Sequence, residues 1–123
     1  MTHLLVIKGK LPGLNEYTSA CRTNPHKGAS MKAKAETIVI NAIRAQMRRI
    51  HVQEPVRISY RWYEPNRRRD LDNISSFGRK VIQDALVKAH VLENDGWRNI
   101  VGFKDSFFVD KGDPRIEVEI TEA

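Results

Sequence analysis

Between Pro55 and Glu64 the chain alternates: Val56, Ile58, Tyr60 and Trp62 fall on one face, and Arg57, Ser59, Arg61 and Tyr63 on the other. A period of two built from β-branched and aromatic residues predicts a half-buried strand. His3–Lys10 reads as a shorter strand that turns away at Pro12-Gly13. Arg98–Val109 and Pro114–Thr121 read as two further strands joined by the turn Asp110-Lys111-Gly112-Asp113. In the last of them Ile116, Val118 and Ile120 face inward, while Glu117 and Glu119 face out.

Two stretches carry the helical period instead. Over residues 31–50, with Ser30 as N-cap, Ile38, Ala42, Ala45 and Ile50, with Ala35, Val39, Ile43 and Met47 beside them, make a broad apolar stripe. Over Leu71–His90, Ile74, Phe77, Gly78, Val81, Ile82, Ala85, Leu86 and Ala89 keep one continuous stripe. Residues 18–30 hold Thr18, Ser19, Thr23, Asn24, Pro25, Gly28 and Ser30 and read as a loop. The expected order is β-loop-α-β-α-β-β. It implies an α+β fold, two helices packed on a small mixed sheet, with residues 1–123 forming one domain.

Composition narrows the classes of function. The longest uncharged apolar stretch, Thr37–Ile43, is interrupted by Asn41 and is far too short to cross a membrane. No basic leader with an apolar core precedes it, so a cytoplasmic protein is expected. Cys21 is the only cysteine, which excludes an internal disulfide and a cysteine-based zinc site. The net charge of +6 is strongly polarised. Residues 1–69 hold 14 Lys and Arg against 4 Asp and Glu, whereas residues 70–123 hold 7 against 11. A basic half facing a polyanion such as nucleic acid, and an acidic half able to carry a cation, fit that split. A merely solvated basic surface is the plainer alternative.

The candidate chemistry lies at the junction of the two halves, in Arg67-Arg68-Arg69-Asp70-Leu71-Asp72-Asn73. Guanidinium groups grip phosphate diesters, and a D-x-D pair offers oxygen ligands to a hard divalent cation such as Mg²⁺. A metal beside a gripped phosphate is the chemistry of phosphodiester cleavage. The rival explanation is that Asp70 or Asp72 caps the helix beginning here and the arginines form a solvated turn. At 100° per residue Asn73, Lys80 and Asp84 line one edge of that helix. Lys80 and Asp84, spaced i,i+4, make a helix pair on the bland view. On the functional view Lys80 stabilises charge building on a phosphorane-like transition state. Asp95, in the turn Glu93-Asn94-Asp95-Gly96, is the best third carboxylate for a metal, with Glu93 as fallback. Tyr17, Tyr60, Trp62, Phe107 and Phe108 read as packing groups rather than base-stacking ones.

The run R-R-R-D-L-D-N, Lys80 seven residues past Asn73, then Asp84-Ala85-Leu86 and Asn94-Asp95, resembles the RusA-type Holliday-junction resolvases. Pro12-Gly13-Leu14-Asn15-Glu16-Tyr17 is similar to that family's P-x-x-N-x-Y segment, and the resemblance covers nearly the whole chain. It implies a Mg²⁺-dependent homodimeric endonuclease that nicks two strands symmetrically across a four-way DNA junction. It further implies that Asp70, Asp72 and Asp95 are the acidic metal-site residues and Lys80 the essential lysine. Gly13, Asn15, Tyr17, Lys27, Arg67, Arg68, Arg69 and Asn73 are the expected DNA-facing residues. Where the family commonly shows two adjacent aspartates, this chain has Asn94 before Asp95. The expectation is an intact site with Asp95 as ligand and Asn94 bonded to a metal-bound water. Two other readings stay open: a non-catalytic nucleic-acid-binding module, and a metal-dependent nuclease acting on flaps or duplex.

Overall fold

The structure, a computed structural model, describes residues 1–123. The elements run β1 (Thr2–Lys8), α1 (Leu14–Thr23), α2 (Pro25–Gln46), β2 (Val56–Glu64), α3 (Leu71–Lys88), β3 (Ile100–Val109) and β4 (Arg115–Glu122). The strands form one mixed sheet in the order β1-β4-β2-β3. β4 pairs antiparallel with β1 (Leu5 opposite Val118) and with β2 (Tyr60 opposite Val118), while β3 runs parallel to β2 (Tyr60 opposite Asp105). The turn after β3 therefore closes no hairpin. It crosses the end of β2, where the Asp110 N–H donates to the Glu64 carbonyl at 2.8 Å, and delivers β4 between β1 and β2.

The alternation seen in the sequence becomes the core. Val56, Ile58, Tyr60 and Trp62, with Leu5, Ile7, Ile116, Val118 and Ile120, meet the apolar stripes of α2 and α3 in one buried cluster. Burial of that apolar area is the main stabilising term. In α3 the predicted stripe is buried from Ile74 to Leu86. In α2 the stripe is narrower than expected. Ala35, Val39, Ile43 and Met47 are buried, but Ile38 is half exposed and Ala45 faces solvent. No helix is long and apolar enough to cross a membrane.

The expected loop over residues 18–30 is helical, so three helices, not two, cover the sheet. α1 starts at Gly13, whose N–H is accepted by Glu16 Oε1 at 3.4 Å. Ser30 lies inside α2 and caps nothing. The true cap is Asn24, whose Oδ1 accepts the His26 N–H at 2.8 Å, with Pro25 in the first turn where its missing N–H costs nothing. Gly28 is there for packing, not for a turn: a Cβ on it would lie 2.4 Å from Cys21 Sγ, so α1 and α2 approach only because it has none.

The two edges of the sheet differ. Along β1 the free amide and carbonyl of Val6 are both satisfied by the side chain of Gln46 at the end of α2, at 2.8 and 2.7 Å. β3 is the other edge and carries exposed Val101, Phe103, Phe108 and Val109.

Candidate active site

β2 delivers the chain to the site. It ends at buried Glu64, and Pro65 and Asn66 turn the backbone, with Asn66 Oδ1 accepting the Arg68 N–H at 3.0 Å. Of the three arginines, Arg67 and Arg68 are exposed and make no ion pair, while Arg69 turns inward. Its Nε and Nη2 donate to the two carboxylate oxygens of Glu64, each at 2.8 Å, and its Nη1 donates to the Leu11 carbonyl at 3.1 Å. This bidentate clamp ties the start of α3 to the end of β2 and to the segment before α1.

Asp70 stands at the N-cap of α3, but its carboxylate makes no capping hydrogen bond. Asp72 lies in the first turn, where Ser76 Oγ donates to its Oδ1 at 2.6 Å. Both aspartates are exposed, and neither pairs with a cation despite three neighbouring arginines. Beside them a groove of about 690 Å³ is lined by Asn66, Arg67, Asp70, Leu71, Asp105 and Phe107 among others. A slightly larger groove of about 770 Å³ lies where α2 and α3 end, among Arg44, Arg48, Arg49, His51 and His90. It holds no carboxylate, so it suits an anion rather than a hard cation such as Mg²⁺.

Asn73 joins two of the motifs. Its Oδ1 accepts the Asn15 N–H at 2.8 Å, and a Cβ on Gly13 would come within 2.6 Å of that oxygen. Gly13 is buried in this contact, and Tyr17 stacks on Phe77 with ring centroids 4.3 Å apart. The segment Gly13–Tyr17 is thereby docked on the first turns of α3. Asn15 and Lys27 remain exposed.

One i,i+4 ridge of α3 carries Asp72, Ser76, Lys80 and Asp84. The Lys80 ammonium donates to Asp84 Oδ1 at 2.9 Å and lies 3.7 Å from Asp95 Oδ2. Asp95 reaches it because His90, at φ 63, reverses the chain after α3 and Val91 and Leu92 pack back into the core. Asn94 Oδ1 is occupied by the Asp95 N–H at 2.8 Å, so it shapes the turn. The second oxygen of Asp84 takes Lys32 Nζ of α2 at 2.8 Å. Behind it Lys32 stands 3.6 Å from buried Glu36, which also pairs with Lys88. Burial works to raise the Asp84 carboxyl, but hydrogen bonds from Lys32 and Lys80 outweigh it and hold the group below the ordinary carboxylate range. The Lys80 ammonium is held above its usual value, chiefly by the hydrogen bond to Asp84, with Asp95 adding attraction.

The structure thus brings Lys80, Asp84 and Asp95 together on the ridge that begins at Asp72. It does not gather Asp70, Asp72 and Asp95 into one shell: no three His, Cys, Asp or Glu side chains are placed to hold an ion together. Eight residues separate Asp72 from Lys80, a rise of about 12 Å along the helix, and Asp95 keeps to the Lys80 end. The donor chemistry of Asp70 and Asp72 still fits a hard cation. Mg²⁺ is commonly held by one or two carboxylates, with waters and substrate phosphate filling the other positions.

Lys32 was not visible as a site residue in the sequence. The i,i+4 spacing pointed to the Lys80–Asp84 pair, but nothing local reveals that a lysine on α2 shares the carboxylate. Nor does any local pattern mark Asp105. From β3 it accepts the Trp62 indole N–H at 2.8 Å and pairs with Arg79, fixing the groove wall.

No curated protein matches the chain. The family model described as Endodeoxyribonuclease RusA matches residues 15–121, taking in the Asn15–Tyr17 segment, the D-L-D-N run, Lys80, Asp84 and Asp95. With the clamped α3 start, the free aspartate pair and nearly the whole chain inside that match, the protein belongs to the RusA endodeoxyribonuclease family, Holliday-junction resolvases that hydrolyse DNA phosphodiester bonds.

Proposed function

We propose that the chain, acting over residues 1–123 as one nuclease domain, is a Mg²⁺-dependent resolvase that opens four-way DNA junctions by paired symmetric nicks, in cytoplasmic DNA recombination and repair. The observation that carries this reading is the pair of exposed, unneutralised carboxylates, Asp70 and Asp72, beside two free arginines on a basic protein. No ion pair of the fold offsets these two negative charges, and a bound cation would stabilise both. Nucleases of this family depend on a metal ion. Asp70 and Asp72 would hold Mg²⁺, with waters and substrate phosphate as the other ligands, while Asp95 stays at the Lys80 end of α3 and outside that shell. When bound there, such a cation would supply Lewis-acid activation of water and charge neutralisation at the scissile phosphate.

The remaining roles belong to the chain's own groups. Arg67 and Arg68 grip the backbone phosphates and hold the strand in register. Lys80 offsets negative charge as the phosphorus centre becomes five-coordinate. Arg69, Gly13, Tyr17 and Asn73 serve the site by fixing the α1 and α3 starts, whereas Asn15 and Lys27 reach toward DNA from α1 and α2.

A four-way junction is roughly two-fold symmetric, so an isologous homodimer places one site on each of two opposed strands. β4 is an interior strand and has no free edge to offer. The unpaired edge of β3, with its exposed Val101, Phe103 and Val109, supports a dimer built there. The test is cleavage of synthetic four-way, three-way and linear DNA with Mg²⁺, with Ca²⁺ and without metal. Paired nicks on the four-way substrate with Mg²⁺ are expected. Equal cutting of linear duplex would refute junction selectivity, and a gel shift with no cut under any metal would leave only a binding module.

A further inference from the structure

We propose that Asp84 is a positioning residue for Lys80: one of its carboxylate oxygens orients the Lys80 ammonium, and the other is pinned to α2 by Lys32. The proposal rests on the role given to Lys80 above.

A lysine on an exposed helix face is a poor electrostatic tool by default. Its stem has several free rotors, and holding it in one conformation costs side-chain entropy. A lone exposed i,i+4 carboxylate returns less than that cost, so the ammonium would wander. Lys80 is 60% exposed and in that position. Its partner is not. The Asp84 side chain is short, 16% exposed, and bonded through both oxygens to ammonium groups of two different helices, at 2.9 Å to Lys80 and 2.8 Å to Lys32.

Lys32 is braced in turn by Glu36, whose side chain is 7% exposed and takes Lys88 as well. The anchor is therefore the packed α2–α3 interface rather than a surface side chain. It leaves the Lys80 ammonium facing Asp95, 3.7 Å away, on the ridge that starts at Asp72. Fixing a cation before reaction is what gives it electrostatic value at a transition state. A plain stabilising tie between α2 and α3 would need the Lys32–Asp84 contact but not the second one.

Single-turnover junction cleavage at saturating enzyme, with junction affinity measured separately in Ca²⁺, separates these roles. Asp84→Asn is expected to slow cleavage about 10-fold or more while the junction Kd stays within about 2-fold. On a Lys80→Met background the same change is expected to cost less than about 2-fold, because its target is gone. Lys32→Met, on a more exposed residue, carries the test should Asp84→Asn fail to fold. It is expected to slow cleavage about 3-fold or more, again with unchanged affinity. Wild-type rates for Asp84→Asn and Lys32→Met would overturn the proposal. So would an equal effect of Asp84→Asn with and without Lys80, or a Lys32→Met defect confined to binding. Lys80→Met cutting at the wild-type rate would instead remove the role of Lys80 itself, a failure distinguishable from that of Asp84.

Discussion

Replacing Arg69 with Met separates an arginine that builds the site from the two that touch its substrate. Arg69 and Glu64 are 14% and 8% exposed and share two hydrogen bonds of 2.8 Å. Methionine keeps much of the apolar stem, so packing is largely preserved. What is lost is the charge partner of a buried carboxylate and the donor to the Leu11 carbonyl. Breaking a buried pair from one side costs about 3–5 kcal/mol. Unfolding entropy of about 2.1 cal/mol/K per residue over 123 residues makes each kcal/mol worth about 4 °C. Arg69→Met should therefore lower Tm by roughly 12–20 °C in circular-dichroism melts at pH 7.

The double change Arg69→Met, Glu64→Met removes both charges, and an apolar replacement of a buried pair is often neutral. It should recover to within about 5 °C of the wild type and bind a four-way junction with unchanged salt dependence. Arg67→Ala and Arg68→Ala should leave Tm alone and each reduce the slope of log affinity against log salt by about 1. Melting of Arg69→Met within about 3 °C of wild type would refute the clamp. So would a double variant that loses junction affinity as the Arg67 and Arg68 variants do.

Asp72→Asn should abolish cleavage in Mg²⁺ and leave junction binding intact or improved, since a repelling charge is removed; cutting at the wild-type rate would sink the metal assignment. Gly13→Ala sets a Cβ 2.6 Å from Asn73 Oδ1 and should displace the Asn15–Asn73 hydrogen bond. An expected loss of about 1–3 kcal/mol is read from urea midpoints, and an unchanged midpoint would count against that docking. Acid should weaken the fold through Asp84 and Glu117, both held below the usual carboxylate range: hydrogen bonds from Lys32 and Lys80 outweigh burial at Asp84, and a hydrogen bond from Arg115 leads at Glu117. Their contribution is complete above the unfolded value of about 4 and drains as pH falls through the lower folded values. Urea midpoints should thus drop steeply below about pH 4 in the wild type and more gently in Asp84→Asn, Glu117→Gln.

By itself the sequence determined whatever depends on one element's own periodicity. The period of two over Val56–Glu64 and the 3.6-residue stripe over Ile74–Leu86 each report burial on one face. With the break at Pro65 between them, they place the D-x-D pair at the first turn of a helix leaving a strand. The Asn24-Pro25 cap signal was present as well, but among threonines, serines and Gly28 it reads as a loop, because only the contact with Cys21 shows why a glycine belongs inside a helix. Tertiary structure decided the rest. It set β4 between β1 and β2, turned Arg69 inward while Arg67 and Arg68 stayed in solvent, shared Asp84 between two helices, and kept Asp95 at the Lys80 end of the ridge. The reason is one of range. Hydrophobic period is a property of neighbours along the chain, whereas an ion pair between elements depends on how two packed surfaces meet, and no local pattern encodes that.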